Sequence, residues 1–179
     1  MKNLKQETLF NFKNKIVLIT GSVGQLGSSF TKLFLSRGAI VVGLDNTHNK
    51  FENKKFYFYS VDISKKEIVE KNIINIVNKF KKIDVIINNA GYSVFTKFDK
   101  RTNEELDKTI NVNIKGTLNI INSYVKIHKN KKLSKSNIIN IGSIYGSISP
   151  DFRIYGKNDN FNSEIYGATK ASIIQLTKY

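Results

Sequence analysis

The stretch ITGSVGQLGSSF, residues 19–30, places three glycines between an apolar run and an amphipathic segment. The run KIVLIT, residues 15–20, predicts a buried strand, and residues 24–38 predict a helix that stops at Gly38. Glycines between a strand and a helix are typical of dinucleotide sites, because they allow a tight turn, an approach by pyrophosphate and close helix packing. The residues of this turn that we expect to bind a nucleotide are Gly21, Ser22, Gly24, Gln25, Leu26 and Gly27.

Strand and helix patterns continue to alternate along the chain. Apolar runs at residues 39–45, 55–62, 84–90 and 137–143 predict four more strands. Helices are predicted over residues 64–82, with Ser64 as N-cap, over residues 103–128, with an interruption near Gly116, and from about Ser163 onward. The alternation predicts an α/β fold with a doubly wound, Rossmann-like parallel sheet of about five strands, in a single domain over residues 1–179.

The helical patterns also predict which apolar side chains face the core. The expected set is Leu26, Phe30, Leu33 and Phe34 in the first helix, and Ile68, Ile73, Ile74, Ile76, Val77 and Phe80 in the second.

The composition excludes several classes of protein. There is no cysteine and there are only two histidines, so disulfides and thiolate sites are excluded and we predict no metal site. The formal net charge of +15 is compatible with nucleic-acid binding. Because the lysines are scattered and lack an accompanying arginine stripe or aromatic motif, we favour a solvated basic surface and no nucleic-acid partner. No signal peptide or membrane-spanning run is recognisable, so we expect a cytoplasmic protein without a membrane partner.

Asp45 closes the second predicted strand. A carboxylate at this position can accept hydrogen bonds from both ribose hydroxyls of adenosine and would repel a 2′-phosphate, which favours NAD over NADP. The alternative is an aspartate that serves only its own turn, LDNTHNK. Lys50 and Lys54 nearby weaken the exclusion of NADP.

Several further motifs occur in a characteristic order. They are TGSVGQLG (20–27), Asp62, NNAG (88–91), Asn113 in NVNIKG, Ser143 in NIGS and YGATK (166–170). Together they resemble the short-chain dehydrogenase/reductase family over nearly the whole chain. The resemblance implies an NAD(P)-dependent oxidoreductase with the catalytic tetrad Asn113, Ser143, Tyr166 and Lys170. It also implies cofactor contacts from Asp62, Ile63, Asn88, Asn89, Ala90, Gly91, Tyr166 and Lys170.

The chemistry of carbonyl reduction explains the residue types in this tetrad. A carbonyl that receives hydride needs a proton donor and a stabilising hydrogen bond at its oxygen. Tyr166 would be the acid/base, and Lys170, one turn later on the same helix face, would favour its phenolate. The resemblance assigns the substrate oxygen to Ser143 and a proton-relay water to Asn113. A turn serine and a polar residue at a helix kink remain the alternatives for these two positions.

Two features depart from the pattern of the short branch. The glycine spacing Thr-Gly-x-x-Gly-x-x-Gly resembles extended members, so a nucleotide-sugar epimerase or dehydratase remains an alternative, although NNAG favours the short branch. The segment between Ser143 and Tyr166 is longer than usual, and this part of the chain resembles the flagellin-modification proteins of bacterial surface-sugar biosynthesis. We therefore expect a polar, sugar-derived small-molecule substrate, whose phosphate or carboxylate would meet Arg153 and Lys157 unless the segment is a solvated loop.

The resemblance also implies that the family continues beyond this chain. We expect a C-terminal truncation that removes two strands, exposes the edge of the fifth strand and uncovers an apolar face of the last helix (Ala168, Ile173, Ile174 and Leu176). The full-length form is expected to be a homo-oligomer. The alternatives are a short protein completed by another chain and a nucleotide-binding fragment without catalytic activity.

Overall fold

A computed structural model describes residues 10–155 and 161–179 of the chain. Its strands form one five-stranded sheet in the order β3-β2-β1-β4-β5, and every neighbouring pair is parallel. The strands are β1 (Ile16–Thr20), β2 (Ile40–Asp45), β3 (Phe56–Ser60), β4 (Val85–Asn88) and β5 (Asn137–Asn140). The predicted α/β fold with a parallel sheet is confirmed.

The helices lie between the strands along the chain. They are α1 (Gln25–Ser36), α2 (Lys66–Phe80), α3 (Asn103–Ile110), α4 (Thr117–Lys131) and α5 (Glu164–Lys178). A π-helical segment, Asn111–Gly116, joins α3 to α4 at the predicted interruption. A Cβ added at Gly116 would lie 2.7 Å from the Ile63 side chain, so the glycine lets this segment pass close to the end of β3.

Helices cover both faces of the sheet because successive residues of a strand point to opposite sides. Leu18 belongs to one apolar cluster, which includes Ile73 of α2 and Ile120 of α4. Its neighbour Ile19 belongs to the other, against which Phe30 of α1 packs. The central strands β1 and β4 are buried along their whole length, which explains their uninterrupted apolar sequences.

The predicted helix start at Ser64 is wrong. Both the backbone N–H and the hydroxyl of Ser64 donate to Oδ1 of Asp62, at 2.9 and 2.7 Å. This local turn uses the serine before the helix begins, and Lys65 is the N-cap, without a side-chain capping bond.

The predicted apolar faces are wrong at several positions. Leu26, Leu33, Ile68 and Ile74 are exposed, Leu33 to 52%. The buried residues of α1 are Gly27, which meets the carbonyl of Gly21, and Thr31, whereas Phe30 and Phe34 are partly buried and pack against the second apolar cluster. In α2, Ile73, Ile76 and Val77 are buried as predicted.

Among the strands of the described residues, β5 pairs with β4 alone, as expected for the edge of this sheet, and Ile139 is exposed. The expectation of an uncovered apolar face on α5 is wrong for Ile173, which is buried, whereas Ile174 and Leu176 are partly buried. Within residues 10–155 and 161–179, no helix has both the length and the apolar content needed to cross a bilayer.

Candidate functional site

A cleft of about 720 Å³ opens at the carboxyl ends of the strands. Parallel sheets present ligand sites at this edge, where the chain leaves each strand and the order of the strands reverses. One end, the glycine-turn half, is lined by Gly21, Gly24, Gln25, Leu26, Asp45, Asp62 and Ile63. The other end, the α5 half, is lined by Gly91, Tyr92, Ser93, Phe95, Lys108, Asn162, Tyr166 and Lys170.

The glycine turn is shaped by close contacts between backbone segments. Gly21 has φ +64°, and a Cβ on it would lie 2.9 Å from the Cα of Ala90. A Cβ on Gly27 would lie 1.8 Å from the carbonyl oxygen of Gly21. Gly21 and Gly24 line the cleft, but Gly27 and the fully buried Ser22 do not, so the structure brings these two predicted residues behind the turn.

Asp45 joins the end of β2 to the glycine turn. Its Oδ2 accepts the backbone N–H of Val23 at 3.1 Å, and its Oδ1 accepts the N–H and hydroxyl of Thr47. The carboxylate is nearly buried but still lines the cleft. The alternative of a turn-stabilising role is therefore real. Oδ1 already accepts two hydrogen bonds, whereas Oδ2 accepts one and keeps capacity for one further donor from a ligand.

Asp62 and Ile63 lie side by side in the wall beyond Asp45. Oδ1 of Asp62 is occupied by Ser64, and the carbonyl of Ile63 accepts from Nδ2 of Asn119 at 2.9 Å. Both residues line the cleft, and the contacts with adenine that the resemblance implies for them stay predictions.

The NNAG motif connects the ends of β1 and β4. Nδ2 of Asn89 donates to the carbonyls of Thr20 and Gly21, and the backbone N–H groups of Asn89 and Ala90 both donate to the Thr20 hydroxyl. Asn88 instead turns toward β5 and donates to Oδ1 of Asn140 at 2.8 Å. Asn89, Ala90 and Gly91 line the cleft.

Tyr166 and Lys170 enter the α5 half from the first turns of α5. Ser163 caps this helix by accepting the N–H of Tyr166. Nζ of Lys170 donates to the carbonyl of Ile141 at 2.7 Å and lies 5.7 Å from the centre of the Tyr166 ring. Burial lowers the pKa of Lys170, because the ammonium loses hydration in this position.

Asn113 lies behind the cleft wall and is almost fully buried. Its Oδ1 accepts the N–H of Tyr92 at 2.7 Å, and its Nδ2 donates to the carbonyl of Tyr92 and to the hydroxyl of Thr169, both at 2.9 Å. The side chain thereby ties the π segment to the chain after β4 and to α5. The position that a Cβ would take on Gly91 is 3.7 Å from Asn113 Oδ1 and 3.9 Å from Lys170 Nζ, so these two groups face one small space.

Ser143 is not among the residues that line the cleft, although its neighbour Gly142 is. Its Oγ accepts the N–H of Tyr145 at 3.2 Å and caps a short 3-10 turn. That turn packs tightly on α5, because a Cβ at Gly146 would lie 2.8 Å from the backbone of Lys170. Of the predicted tetrad, the structure brings Tyr166 and Lys170 into the cleft and leaves Asn113 and Ser143 in its supporting layer.

Arg153, predicted to meet a substrate anion, is not among the described residues that line the cleft. Arg153 is exposed and is paired with Asp151, whose carboxylate accepts from both its Nε and Nη2. Lys157 lies outside the described residues. A different cation, Lys108, lines the cleft, with its Nζ 4.3 Å from the centre of the Tyr92 ring.

Sequence reasoning missed most of the α5 half. Tyr92, Ser93 and Phe95 follow NNAG directly, and Lys108 precedes Asn113 by little more than one turn, so nearness to the motifs was the available signal. Asn162 carries no such signal, and only the fold brings it to Ser93, whose hydroxyl donates to its Oδ1 at 3.1 Å. No group of three or more His, Asp or Glu side chains with a metal-binding arrangement occurs among the residues described.

Comparisons with known proteins agree with this geometry. A sequence model described as short chain dehydrogenase matches residues 15–179. A crystal structure of a short chain dehydrogenase from Leptospira borgpetersenii with bound NAD⁺ is 37% identical and superposes with a TM-score of 0.87, over 94% of this chain and 65% of that one. An uncharacterized oxidoreductase of Schizosaccharomyces pombe is 30% identical over 93% of this chain and 60% of its own length.

A third relative is the 3-oxoacyl-[acyl-carrier-protein] reductase FabG of Thermotoga maritima. It is 28% identical over 93% of this chain and 66% of its own length. The chain thus spans between 60% and 66% of the length of these three relatives.

Proposed function

The chain belongs to the short-chain dehydrogenase family, and from that premise we propose an oxidoreductase that uses NAD to interconvert an alcohol and a carbonyl. One observation carries the proposal. Tyr166 and Lys170 line the same cleft as the glycine turn, Asp45 and Asp62, so an acid/base pair and a nucleotide site share one space.

The residues of the glycine-turn half fit a dinucleotide. Side chains larger than glycine would collide at Gly21 and Gly27, and the turn leads into the N-terminus of α1, whose N–H groups attract phosphate. We assign the pyrophosphate to Gly21, Gly24, Gln25 and Leu26, with Ser22 and Gly27 shaping the turn behind them. Asp45 would hold the adenosine ribose, Asp62 and Ile63 the adenine, and Asn89, Ala90 and Gly91 the middle of the cofactor.

NAD is the expected cofactor, and NADP is the less favoured one. The nearly buried carboxylate of Asp45 would repel a 2′-phosphate, and the Leptospira relative was solved with NAD⁺. When bound, the cofactor supplies the hydride chemistry.

The chain's own residues would move the proton. The Tyr166 phenol would donate a proton to the substrate oxygen during reduction and take it back during oxidation. The Nζ of Lys170 lies 5.7 Å from the centre of the Tyr166 ring, where its positive charge would favour the phenolate. We assign the relay water to the space near Gly91 that both Asn113 Oδ1 and Lys170 Nζ face.

Ser143 is assigned the substrate oxygen. Its Oγ accepts the N–H of Tyr145, which leaves the hydroxyl hydrogen to be donated toward a substrate. Because Ser143 stands behind the cleft lining, this assignment requires a substrate that reaches past Gly142.

We further propose a polar, sugar-derived substrate. The polar groups of Ser93, Lys108 and Asn162 in the α5 half support it. Residues 1–179 would act as a single nucleotide-binding domain in a cytoplasmic enzyme of surface-sugar biosynthesis, and the full-length enzyme would be a homo-oligomer. The sugar-derived substrate and the surface-sugar role rest on the resemblance to the flagellin-modification proteins. The homo-oligomer rests on the resemblance to the wider short-chain family, and the single cytoplasmic domain on the sequence pattern of the chain itself.

The proposal is tested by hydride transfer in the 179-residue chain. The chain is incubated with NAD or NADH and a panel of sugars, sugar acids and 3-oxoacyl thioesters, and NADH absorbance is followed. We expect turnover that Tyr166→Phe lowers by about 10²- to 10⁴-fold while NADH affinity is retained. Equal turnover by Tyr166→Phe, or the absence of NADH binding, would contradict the proposal.

A second candidate function is nucleotide binding without catalysis. The position of Ser143 outside the cleft lining favours it, because a carbonyl in the cleft would then lack one stabilising hydrogen bond. Saturable NADH binding without turnover of any substrate in the panel would support this reading.

A further inference from the structure

We infer that Arg101 is a positioning residue that holds the start of α5, and with it Tyr166, against the opposite wall of the cleft. That wall is formed by the wall loop, residues 89–102, which follows β4 and contributes Tyr92, Ser93 and Phe95 to the cleft. The inference goes beyond the proposed function, because it concerns what sets the width of the α5 half.

The contacts of Arg101 reach both walls. Its Nη1 donates to both carboxylate oxygens of Glu164, and its Nη2 donates to the carbonyl of Thr96 in the wall loop. Glu164 is the first residue of α5 and stands two positions before Tyr166. One guanidinium therefore joins the wall loop to the helix that carries the acid/base pair.

Arg101 is itself held in place by a second set of bonds. The Thr96 hydroxyl donates to Oε1 of Glu105, and Oε2 of Glu105 accepts the N–H of Thr102 in the capping box of α3. Hydrogen bonds from Thr96 and Thr102, together with the positive charge of Arg101, lower the pKa of Glu105. These bonds hold Thr96, whose carbonyl accepts from Arg101, close to the start of α3.

Burial distinguishes this ion pair from an ordinary surface pair. The Arg101 side chain is 5% exposed, whereas Glu164 is 47% exposed. An exposed pair contributes little to stability, but a buried guanidinium that loses its partner keeps the cost of lost hydration. We therefore expect Arg101 to hold its partner at all times in the folded chain.

Two other bonds cross the same gap. The Ser93 hydroxyl donates to Asn162 just before α5, and Asn113 links Tyr92 to Thr169 within α5. Tyr166 lies within the stretch 162–169 that these bonds span, and Lys170 follows it directly. If the bond between Arg101 and Glu164 is released, the start of α5 can separate from the wall loop and admit water to the buried amine of Lys170.

The test measures the titration of Lys170 in the cofactor-free chain, by NMR of ¹³C-labelled lysine side chains. Lys170→Met identifies its signal by removing it. In Arg101→Gln we expect the pKa of Lys170 to rise measurably toward its ordinary value, because water reaches the amine. Arg101→Lys, which keeps the charge, should show a smaller rise.

The matched control is Arg153→Gln, which breaks an exposed arginine–aspartate pair outside the cleft lining. It should leave the Lys170 titration unchanged. An Arg101→Gln chain that melts at lower temperature but keeps the wild-type titration would overturn the inference, because a merely structural bond would act in that way. Equal shifts in Arg101→Gln and Arg153→Gln would overturn it as well.

A second variant decides the matter if Arg101→Gln does not fold. Glu164→Ala leaves Arg101 in place and removes both carboxylate acceptors of its guanidinium, so it should raise the pKa of Lys170 in the same direction; an unchanged titration would refute the inference. The readout needs neither cofactor nor turnover, so failure of hydride transfer leaves it intact.

Discussion

The two halves of the cleft are built by different means. In the glycine-turn half, backbone groups meet directly, as where the carbonyl of Gly21 occupies the space beside Gly27. In the α5 half, side chains distant in sequence hold the walls, as where Asn113 joins Tyr92 to Thr169. The first half should therefore be intolerant of one added methyl group, and the second should be intolerant of losing one polar side chain.

The largest expected effect comes from Gly27→Ala in the glycine-turn half. Alanine usually stabilises a helix interior relative to glycine, but here its Cβ would lie 1.8 Å from a backbone oxygen. We expect a loss of about 3 kcal/mol in the free energy of unfolding, measured by urea denaturation. Gly24→Ala is the matched control, since its Cβ would lie 3.4 Å from the same oxygen, and it should cost about 1 kcal/mol. If the two variants lose the same free energy of unfolding, close backbone contact at Gly27 does not explain how the glycine-turn half is built.

The next effect is expected from Asn113→Ala in the α5 half. The change leaves buried groups of Tyr92 and Thr169 without their partner, so we expect a loss of about 2 kcal/mol. Asn119→Ala is the counterpart in the other half, because Asn119 makes one bond, to the carbonyl of Ile63, and it should cost about half as much. The measurement is again urea denaturation. If Asn119→Ala costs as much as Asn113→Ala, polar ties are no more important in one half than in the other.

The smallest effect concerns the pH dependence of stability. Burial lowers the pKa of Lys170 below its ordinary value of 10.5, so the unfolded chain holds this proton to higher pH than the folded chain does. Stability therefore rises with pH between the lowered value and 10.5, and below that interval the full cost of burying the charge applies.

Lys170→Met should consequently be more stable than the wild type near neutral pH, with an advantage that shrinks as pH rises through this interval. Denaturation at a series of pH values measures the trend. Lys126→Met, which removes an exposed lysine of α4, reports the general effect of losing one positive charge. If the stability difference between Lys170→Met and the wild type grows with pH, burial does not disfavour the charged form of Lys170.

The same contrast explains what the sequence could predict. The strands, the glycine turn and the Tyr166–Lys170 pair are local patterns, and apolar runs or fixed spacings reveal them. Gly21, Asp45 and Asp62 lie at or just after the carboxyl ends of strands, so the parallel sheet brings them to one edge and their place in the cleft could be foreseen.

The ties of the α5 half could not be predicted in this way. Ser93 and Asn162 are 69 positions apart, and Arg101 and Glu164 are 63 apart, so no short motif contains either pair. The exposure of Leu33 could not be predicted for a related reason. The side of α1 that faces the core depends on how closely Gly27 meets the glycine turn, and helix periodicity does not reveal that contact. The roles of Ser143 and Asn113 stay predictions until the chemistry is measured.

The central claim is that one cleft holds a nicotinamide dinucleotide with its adenosine at Asp45. Titration of NADH into the chain, followed by cofactor fluorescence and repeated with NADPH and with Asp45→Asn, tests it directly. We predict saturable one-to-one binding that is tighter for NADH, and a loss of about tenfold in NADH affinity in Asp45→Asn, since a charge-assisted bond to ribose is removed. Non-saturable association, or an affinity for NADH that Asp45→Asn leaves unchanged, would contradict the account.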